Sequence, residues 1–266
     1  MNKHTGYKCK YCGKVIETSG GLGGHVNLAH KQQGKMQPAK EQMLRYKNPE
    51  EFKRIHHLAM EKREAWRNDI QLTTKQEQLI LGGILGDASI AMGNDRSHNA
   101  RVHFIQGIKQ YEYCMWKYEQ LKDIVKTKPK IAINGGYGDK IVSFNTMSLP
   151  CITEIYNTTK INNITTVTEN FLNMIKTPLA LAVWVLDDGT LNRSTYVISL
   201  GDRTKNEVEL LQLWMESKWD IKSTIAYYTK EYVMRFSAKS ESLRLKELIE
   251  PYVEVDQMKY KILFTT

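Results

Sequence analysis

Two apolar segments, each closed by an acidic residue, constrain the fold of this chain more than any other feature. The first, "LILGGILGDAS", covers residues 79–89 and contains Asp87, and the second, "TPLALAVWVLDDGTL", covers residues 177–191 and contains Asp188. Both segments have the apolar content of buried helices. An exposed carboxylate at the C-terminal end of a helix faces the negative end of the helix dipole, which is unfavourable by about 0.3–1 kcal/mol. Both segments carry this unfavourable feature at the same place.

Small residues interrupt the two segments and indicate a close contact between them. Gly82 and Gly86 lie in the first segment, and Ala180 and Ala182 lie in the second. Each Gly in a helix interior costs roughly 0.8–1.0 kcal/mol relative to Ala, and close packing of two helix backbones would offset this loss. We therefore predict that the helices pack side by side and bring their terminal aspartates together. Two carboxylates so placed need cations between them, which favours divalent metal and phosphodiester hydrolysis.

The residues after each aspartate repeat one order of elements. Alternating apolar and polar residues predict strands, and the 3.6-residue period predicts helices, so that each half has the order αββαββα. The fold class predicted from this repeat is α+β, with two pseudo-symmetric halves in one chain. The predicted strands lie around residues 87–107, 129–146, 190–201 and 221–237.

The N-terminal residues have the spacing of a metal-binding module. Cys9, Cys12, His25 and His30 form the pattern C-x2-C-x12-H-x4-H, in which two thiolates come from a hairpin and two imidazoles come from one face of a helix. This spacing predicts one structural Zn²⁺ and a ββα zinc finger of the C2H2 type over residues 1–31. The alternative is a fortuitous cysteine pair with two core histidines.

The finger has few side chains with which to read a base sequence. Counted back from the first ligand histidine, the base-reading helix positions of such fingers are Thr18, Gly21 and Gly24. Two of these residues are glycines, so we interpret the finger as an anchor that contacts phosphates. The lysines suited to this are Lys8, Lys10, Lys14 and Lys31.

The positive charge of the chain is concentrated near its N-terminus. The formal net charge is +9, and the first 67 residues hold 14 Lys and Arg against 6 Asp and Glu. This distribution indicates a polyanionic partner, nucleic acid first of all; the alternative is a solvated, mobile arm. Residues 32–75 are predicted to form a basic linker with a helix that begins near Pro49.

The composition excludes other classes of protein. No run approaches the roughly 18 apolar residues of a membrane span, and the first residues, "MNKHTGYKCKYCGK", contain no apolar signal core. Four cysteines, two of them in C-x-x-C, argue against a disulfide scaffold. We therefore expect no membrane partner and an intracellular, reducing location in the cytoplasm, the nucleoid or an organelle.

Three stretches together resemble a known family. "LGGILGDASI", "LAVWVLDDGTL" and the C-terminal "PYVEVDQMKYK" are similar to the signature helices and the ending of single-chain, double-motif LAGLIDADG homing endonucleases. The resemblance covers residues 76–266 and implies two halves, residues 76–175 and 176–266. It also implies two saddle-shaped antiparallel sheets whose surfaces bind DNA.

The resemblance implies roles for particular residues. Asp87 and Asp188 would bind the catalytic divalent ions, Mg²⁺ or Mn²⁺, with the backbone carbonyls of Gly86 and Asp187 nearby. Lys261, in the Met-x-Tyr-Lys ending, would be a basic residue near the scissile phosphate.

The first half would have its own basic residue and an active-site polar residue. The stretch "YNTTKINNITTVTEN" offers Lys160 as the basic residue. On the second strand, His103 or Gln106 would order water in the active site; the alternative for each is a contact between the sheet surface and DNA.

These observations favour a site-specific endonuclease that hydrolyses both strands of DNA with Mg²⁺. We expect a monomer that binds a long recognition site on double-stranded DNA. Two alternatives stay open: an intron RNA maturase that assists splicing, and a DNA-binding regulator without catalysis. Because both aspartates are present, the enzyme is the preferred hypothesis.

Overall fold

The computed structural model describes residues 7–9, 12–18, 21, 25, 48–93, 98–133 and 138–264. It divides the chain into two compact units, Met1–Trp66 and Arg67–Thr266. The division falls inside the stretch predicted as a linker.

The first unit contains a short hairpin and most of one long helix. Strands β1 (Tyr7–Lys8) and β2 (Val15–Ile16) pair antiparallel. Helix α1 (Pro49–Asn68) confirms the predicted basic helix. It begins where the side chain of Asn48 accepts a hydrogen bond from the N–H of Glu51, at 3.1 Å, which satisfies one of the unpaired donors of the first turn.

The second unit contains two series of helices and strands joined by a short segment. The first series is α2 (Thr74–Leu85), β3 (Ser89–Met92), β4 (Ala100–Gly107), α3 (Tyr111–Leu121), β5 (Lys130–Ile133), β6 (Lys140–Asn145) and α4 (Pro150–Thr159). The joining segment is β7 (Lys160–Ile161), β8 (Ile164–Thr165) and α5 (Glu169–Met174). The second series is α6 (Pro178–Asp188), β9 (Gly189–Asn192), β10 (Thr195–Ser199), α7 (Lys205–Trp219), β11 (Thr224–Tyr228), β12 (Glu231–Phe236) and α8 (Lys239–Ile249).

Each series forms a four-stranded antiparallel sheet. The strand orders are β3-β4-β6-β5 and β9-β10-β12-β11, so the strands of the two sheets follow the same order. In β4 the side chains alternate, with Val102 and Phe104 buried and Arg101 exposed, because successive side chains of a strand point to opposite faces. The mixed α+β class with antiparallel sheets is therefore confirmed.

Helices α2 and α6 pack against each other with their backbones close together. A Cβ atom on Gly82 would lie only 2.9 Å from the Cα of Ala180, and one on Gly86 would lie 2.5 Å from the Cβ of Asp187. The predicted contact between the two helices is thus present, although Gly86 meets an aspartate rather than an alanine. Glycine is required at these positions because the two helices approach each other closely there.

A buried glutamine fixes the entry to the second helix. Gln78 of α2 donates to the carbonyl of Met174 at 2.9 Å, and its Oε1 accepts from the N–H groups of Lys176 and Thr177 at 2.6 and 3.1 Å. These bonds hold the chain just before α6 against α2. The sequence pattern did not predict this role, because Gln is ordinarily an exposed helix residue.

None of the helices in the described ranges has both the length and the hydropathy needed to cross a membrane.

The close contact between α2 and α6 makes a prediction about stability. Gly82→Ala would push a methyl group into the backbone of Ala180, so we expect the free energy of unfolding to fall by about 3 kcal/mol. Chemical denaturation followed by circular dichroism measures this. Gly107→Ala is the matched control, since no atom lies within 4 Å of a Cβ there. Equal stability of the two variants would contradict the proposed contact.

Candidate active site

Three carboxylates lie together where α2 and α6 end. The backbone N–H of Asp87, just after α2, donates to Oδ2 of Asp187 at 3.4 Å, and Asp188 is the last residue of α6. Burial, and after it the negative charges of Asp87 and Asp187, raise the pKa of Asp188 to about 7. The structure therefore brings Asp87 and Asp188 close enough for their charges to interact, and the carboxylate of Asp187 lies beside Asp87.

Gln106 connects two of these carboxylates. Its Nε2 donates to Oδ2 of Asp87 at 2.9 Å and to Oδ1 of Asp187 at 3.3 Å. Its Oε1 is buried and has no hydrogen-bond partner within the described part of the chain. A buried oxygen of this kind is an acceptor for a bound water or ligand.

His103 lies on the other face of the same strand. It borders a groove with Ser89, Arg101 and Asn145, and burial, followed by the charge of Arg101, lowers its pKa. Because side chains alternate along a strand, residues 103 and 106 cannot both face the acids. Of the two candidates from the sequence, the structure places Gln106 at the acids and His103 in the open groove.

A buried ion pair holds the carboxylate of Asp187. The ammonium of Lys117, in α3, lies 2.7 Å from Oδ1 of Asp187, and both side chains have no exposed surface. The ammonium also lies 4.3 Å from the centre of the Tyr113 ring. Burial raises the pKa of Asp187, and Lys117 opposes that change. The side chain of Asp187 therefore has an ionic partner inside the protein, whereas the sequence suggested only a role for its carbonyl.

Lys117 was missed although the helix pattern contained a signal for it. The buried residues of α3 are Tyr113, Cys114, Lys117 and Leu121. The last three follow the first by one, four and eight residues, a spacing that defines one helix face. A lysine on the apolar face of a helix predicts a buried partner, because an unpaired buried charge is very unfavourable.

Lys261 lies at the C-terminal end of α6. It is the last residue of a 3-10 turn, Asp256–Lys261, and it is buried. Its ammonium donates to the carbonyl of Leu186 at 2.6 Å and to that of Asp187 at 3.1 Å. These carbonyls belong to the last turn of α6, which lacks intrahelical donors. Burial lowers the pKa of Lys261, while the neighbouring aspartates raise it.

Lys160 lies outside this group of contacts. Its ammonium donates to the carbonyl of Asn163, at 3.2 Å, within the hairpin of β7 and β8. A different cation, Arg203, reaches the end of α2, and its Nη2 lies 2.5 Å from the carbonyl of Leu85. No sequence pattern indicates this contact of Arg203, because Arg203 belongs to the turn between β10 and α7, far from α2 along the chain.

A second cluster of ligand atoms lies in the first unit. The ligand atoms of Cys9, Cys12 and His25 lie within 4.8 Å of one another, and Sγ of Cys12 is 3.2 Å from Nε2 of His25. Two thiols and an imidazole are donors that suit Zn²⁺. His30, the fourth predicted ligand, is outside the described residues.

A family model matches the region that contains the acids. Residues 77–243 match the LAGLIDADG DNA endonuclease family. The chain belongs to this family. The match includes Asp87 and Asp188 and excludes the N-terminal cysteines.

Two curated proteins are similar to parts of this chain. The cytochrome b mRNA maturase bI2 of Debaryomyces hansenii is 29% identical over 194 residues, which cover 70% of this chain and 72% of that protein. The probable intron-encoded DNA endonuclease 3 of Mycosarcoma maydis is 30% identical over 112 residues, which cover 40% of this chain and 79% of that protein.

The fold is also similar to that of the homing endonuclease I-WcaI, solved bound to its DNA recognition sequence. The TM-score is 0.66 and the identity is 21%, and the similarity covers 74% of this chain and 89% of that one. At this identity the likeness supports the fold.

The buried ion pair makes a second prediction. Lys117→Met leaves Asp187 buried without its cation, so we expect the free energy of unfolding to fall by about 3–5 kcal/mol. The double variant Lys117→Met/Asp187→Asn should recover much of this loss. Chemical denaturation measures both values.

The control is a lysine with an exposed partner. Lys122 pairs with Glu119, and both side chains are more than half exposed, so Lys122→Met should change the stability by at most about 1 kcal/mol. If Lys117→Met were as stable as Lys122→Met, the buried pair would have no structural role.

Proposed function

We propose that this protein is a site-specific endonuclease that cuts both strands of DNA with divalent metal, Mg²⁺ or Mn²⁺. The observation that carries the proposal is the meeting of Asp87 and Asp188 at the ends of two close-packed helices. In a family of DNA endonucleases, two acids so placed are suited to metal-assisted hydrolysis of phosphodiesters.

The residues present fit a divalent cation. Carboxylate and carbonyl oxygens are the ligands that Mg²⁺ prefers, and the proposed ligands are Asp87, Asp188 and the carbonyls of Gly86 and Asp187. The raised pKa of Asp188 reflects burial and repulsion among the acids, which a cation would relieve. The metal, when bound, would activate water and stabilise the leaving oxygen.

The other residues of the site orient these acids or balance their negative charge. Gln106 holds the carboxylate of Asp87 and presents its free Oε1 beside it, where it can accept a hydrogen bond from water. Lys261 adds a positive charge at the end of α6, where negative charge develops on a phosphate during cleavage.

We further propose that residues 76–175 and 176–266 are pseudo-symmetric halves, as in the single-chain, double-motif subgroup. The equal strand order of the two sheets supports this. A single chain would then supply both catalytic acids and act as a monomer. The open sheet faces would contact the duplex, and the groove on the second sheet contains Arg193 and Arg235.

The N-terminal unit would extend the contact with nucleic acid. We propose that residues 1–31 form a C2H2 zinc finger that anchors on phosphates and that residues 32–75 link it to the enzyme. The three clustered ligands and the excess of lysine and arginine support this proposal.

A selection experiment tests the endonuclease proposal without knowledge of the target. Randomised DNA duplexes bound in Ca²⁺ are recovered, Mg²⁺ is added, and new ends are sequenced. We expect ends clustered at one motif, and none with the double variant Asp87→Asn/Asp188→Asn. Asp123→Asn, at an exposed residue in the turn after α3 and outside the strands of the two sheets, is the control that should cut as the wild type does.

Other outcomes favour other functions. Cleavage by the double variant would contradict the roles of the two acids, and selective binding without new ends would favour a regulator. The similarity to a cytochrome b mRNA maturase supports intron RNA as the second candidate substrate. Selective binding of the transcribed library, with no enrichment on DNA, would favour that function.

The zinc proposal makes a separate prediction. We expect one zinc ion per chain by elemental analysis, lost in Cys9→Ser and retained in Cys151→Ser, whose cysteine lies outside the ligand cluster. Losing the finger should also flatten the slope of log affinity for DNA against log salt, by roughly one unit per phosphate contact removed. An unchanged slope would show that the finger does not touch phosphate.

A further inference from the structure

Arg203 connects the second sheet to the end of the first signature helix. It lies between β10 and α7, and its Nη1 donates to the carbonyl of Leu200 at 2.6 Å. Its Nη2 donates to the carbonyl of Leu85, the last residue of α2, at 2.5 Å. A residue of the second series is thereby bonded to the helix that precedes Asp87.

The contact with Leu85 is equivalent in register to the contact of Lys261 with the other helix. Leu85 is two residues before Asp87, and Leu186 is two residues before Asp188. The ammonium of Lys261 lies 2.6 Å from the carbonyl of Leu186. Each signature helix therefore has a cation on the carbonyl two residues before its acid.

This position suits a cation for a physical reason. The carbonyls of a last helical turn lack intrahelical partners and form the negative end of the dipole. A positive charge bonded to them lies near the acids at the helix ends, and the first of the acids whose charges act on Arg203 is Asp188. The guanidinium also has more N–H groups than its two carbonyl contacts use, and its planar shape matches phosphate oxygens.

Arg203 also borders an open space next to the acids. It is half-buried and lines a cavity of about 310 Å³ together with Gly86, Ser89, Thr165 and Asp188. The strand register pairs Thr165 with Lys160, yet the ammonium of Lys160 is bonded to Asn163 in its own hairpin. Arg203 is thus the cation that borders both the cavity and the end of α2.

We propose that Arg203 faces the phosphate of one DNA strand at the end of α2, as the counterpart of Lys261 at the end of α6. This inference rests on the proposed endonuclease function. It assigns to Arg203 the role for which the sequence suggested Lys160. Each cation would stabilise the negative charge that develops on the phosphate of its own strand.

The test is strand-resolved cleavage of the target recovered by the selection, with each strand separately labelled. We expect Arg203→Met to slow the cutting of one strand by roughly 100-fold, so that nicked DNA accumulates. Lys261→Met should slow the other strand, and Arg203→Lys should restore part of the lost rate. Affinity for DNA in Ca²⁺ should fall by much less than the rate of cutting, since one phosphate contact is lost.

The control removes a nearby charge at the first residue of α7. Lys205 pairs with Glu209 on the exposed surface, and Lys205→Met should leave the ratio of the two cutting rates unchanged. A merely structural role of Arg203 would slow both strands equally and lower the melting temperature, which would overturn the proposal. A strand-selective loss in Lys160→Met, with Arg203→Met unaffected, would also overturn it.

The two proposals fail in different ways. If the wild type cuts both strands and Arg203→Met does so with the same rates, the inference about Arg203 falls and the endonuclease function stands. If the wild type cuts neither strand, the function falls, and the role of Arg203 falls with it.

Discussion

The contact between α2 and α6 is the constraint on which the site depends. Gly82 allows the helix backbones to meet at Ala180, and Gly86 leaves room for the side chain of Asp187. Because both helices end at this contact, their acids are forced together, and burial, followed by repulsion from Asp87 and Asp187, raises the pKa of Asp188. Two helices held apart by larger side chains would have acids too far apart to share cations. The glycines that weaken the first helix are therefore the residues that create the site.

The negative charge of the acids is balanced by cations from three different parts of the chain. Lys117 lies on α3, Arg203 in the turn before α7, and Lys261 in the C-terminal 3-10 turn. Lys117 has no exposed surface and neutralises the buried carboxylate of Asp187, which is a structural task. Arg203 and Lys261 are bonded to helix-end carbonyls, and the proposed function places a DNA phosphate beside each of them. Under the proposed function this division would leave Asp87 and Asp188 for metal, since Asp187 already has Lys117 as its cation.

Local patterns predicted the elements, and tertiary contacts decided the site. The apolar periodicity, Pro178 and the terminal aspartates were sufficient to predict α6, and alternation predicted the strands of both sheets. Alternation alone cannot say which face of β4 turns toward the acids. From the sequence, His103 and Gln106 are therefore equivalent candidates for the active site, and only the packing of the sheet against α2 distinguishes them. Arg203 could not be predicted, because its carbonyl partner Leu85 lies 118 residues away in the chain.

The two helix ends are complementary rather than identical. The residue before the acid is Gly86 in the first motif and Asp187 in the second. Each of these two residues fits because the other lies opposite it. Aspartate on both sides would place two buried carboxylates in the space that one fills, and glycine on both sides would remove the partner of Lys117. A symmetric homodimer must present the same residue on both sides of its axis. The buried Lys117–Asp187 pair therefore requires two different motifs, which a single chain with two diverged halves can supply.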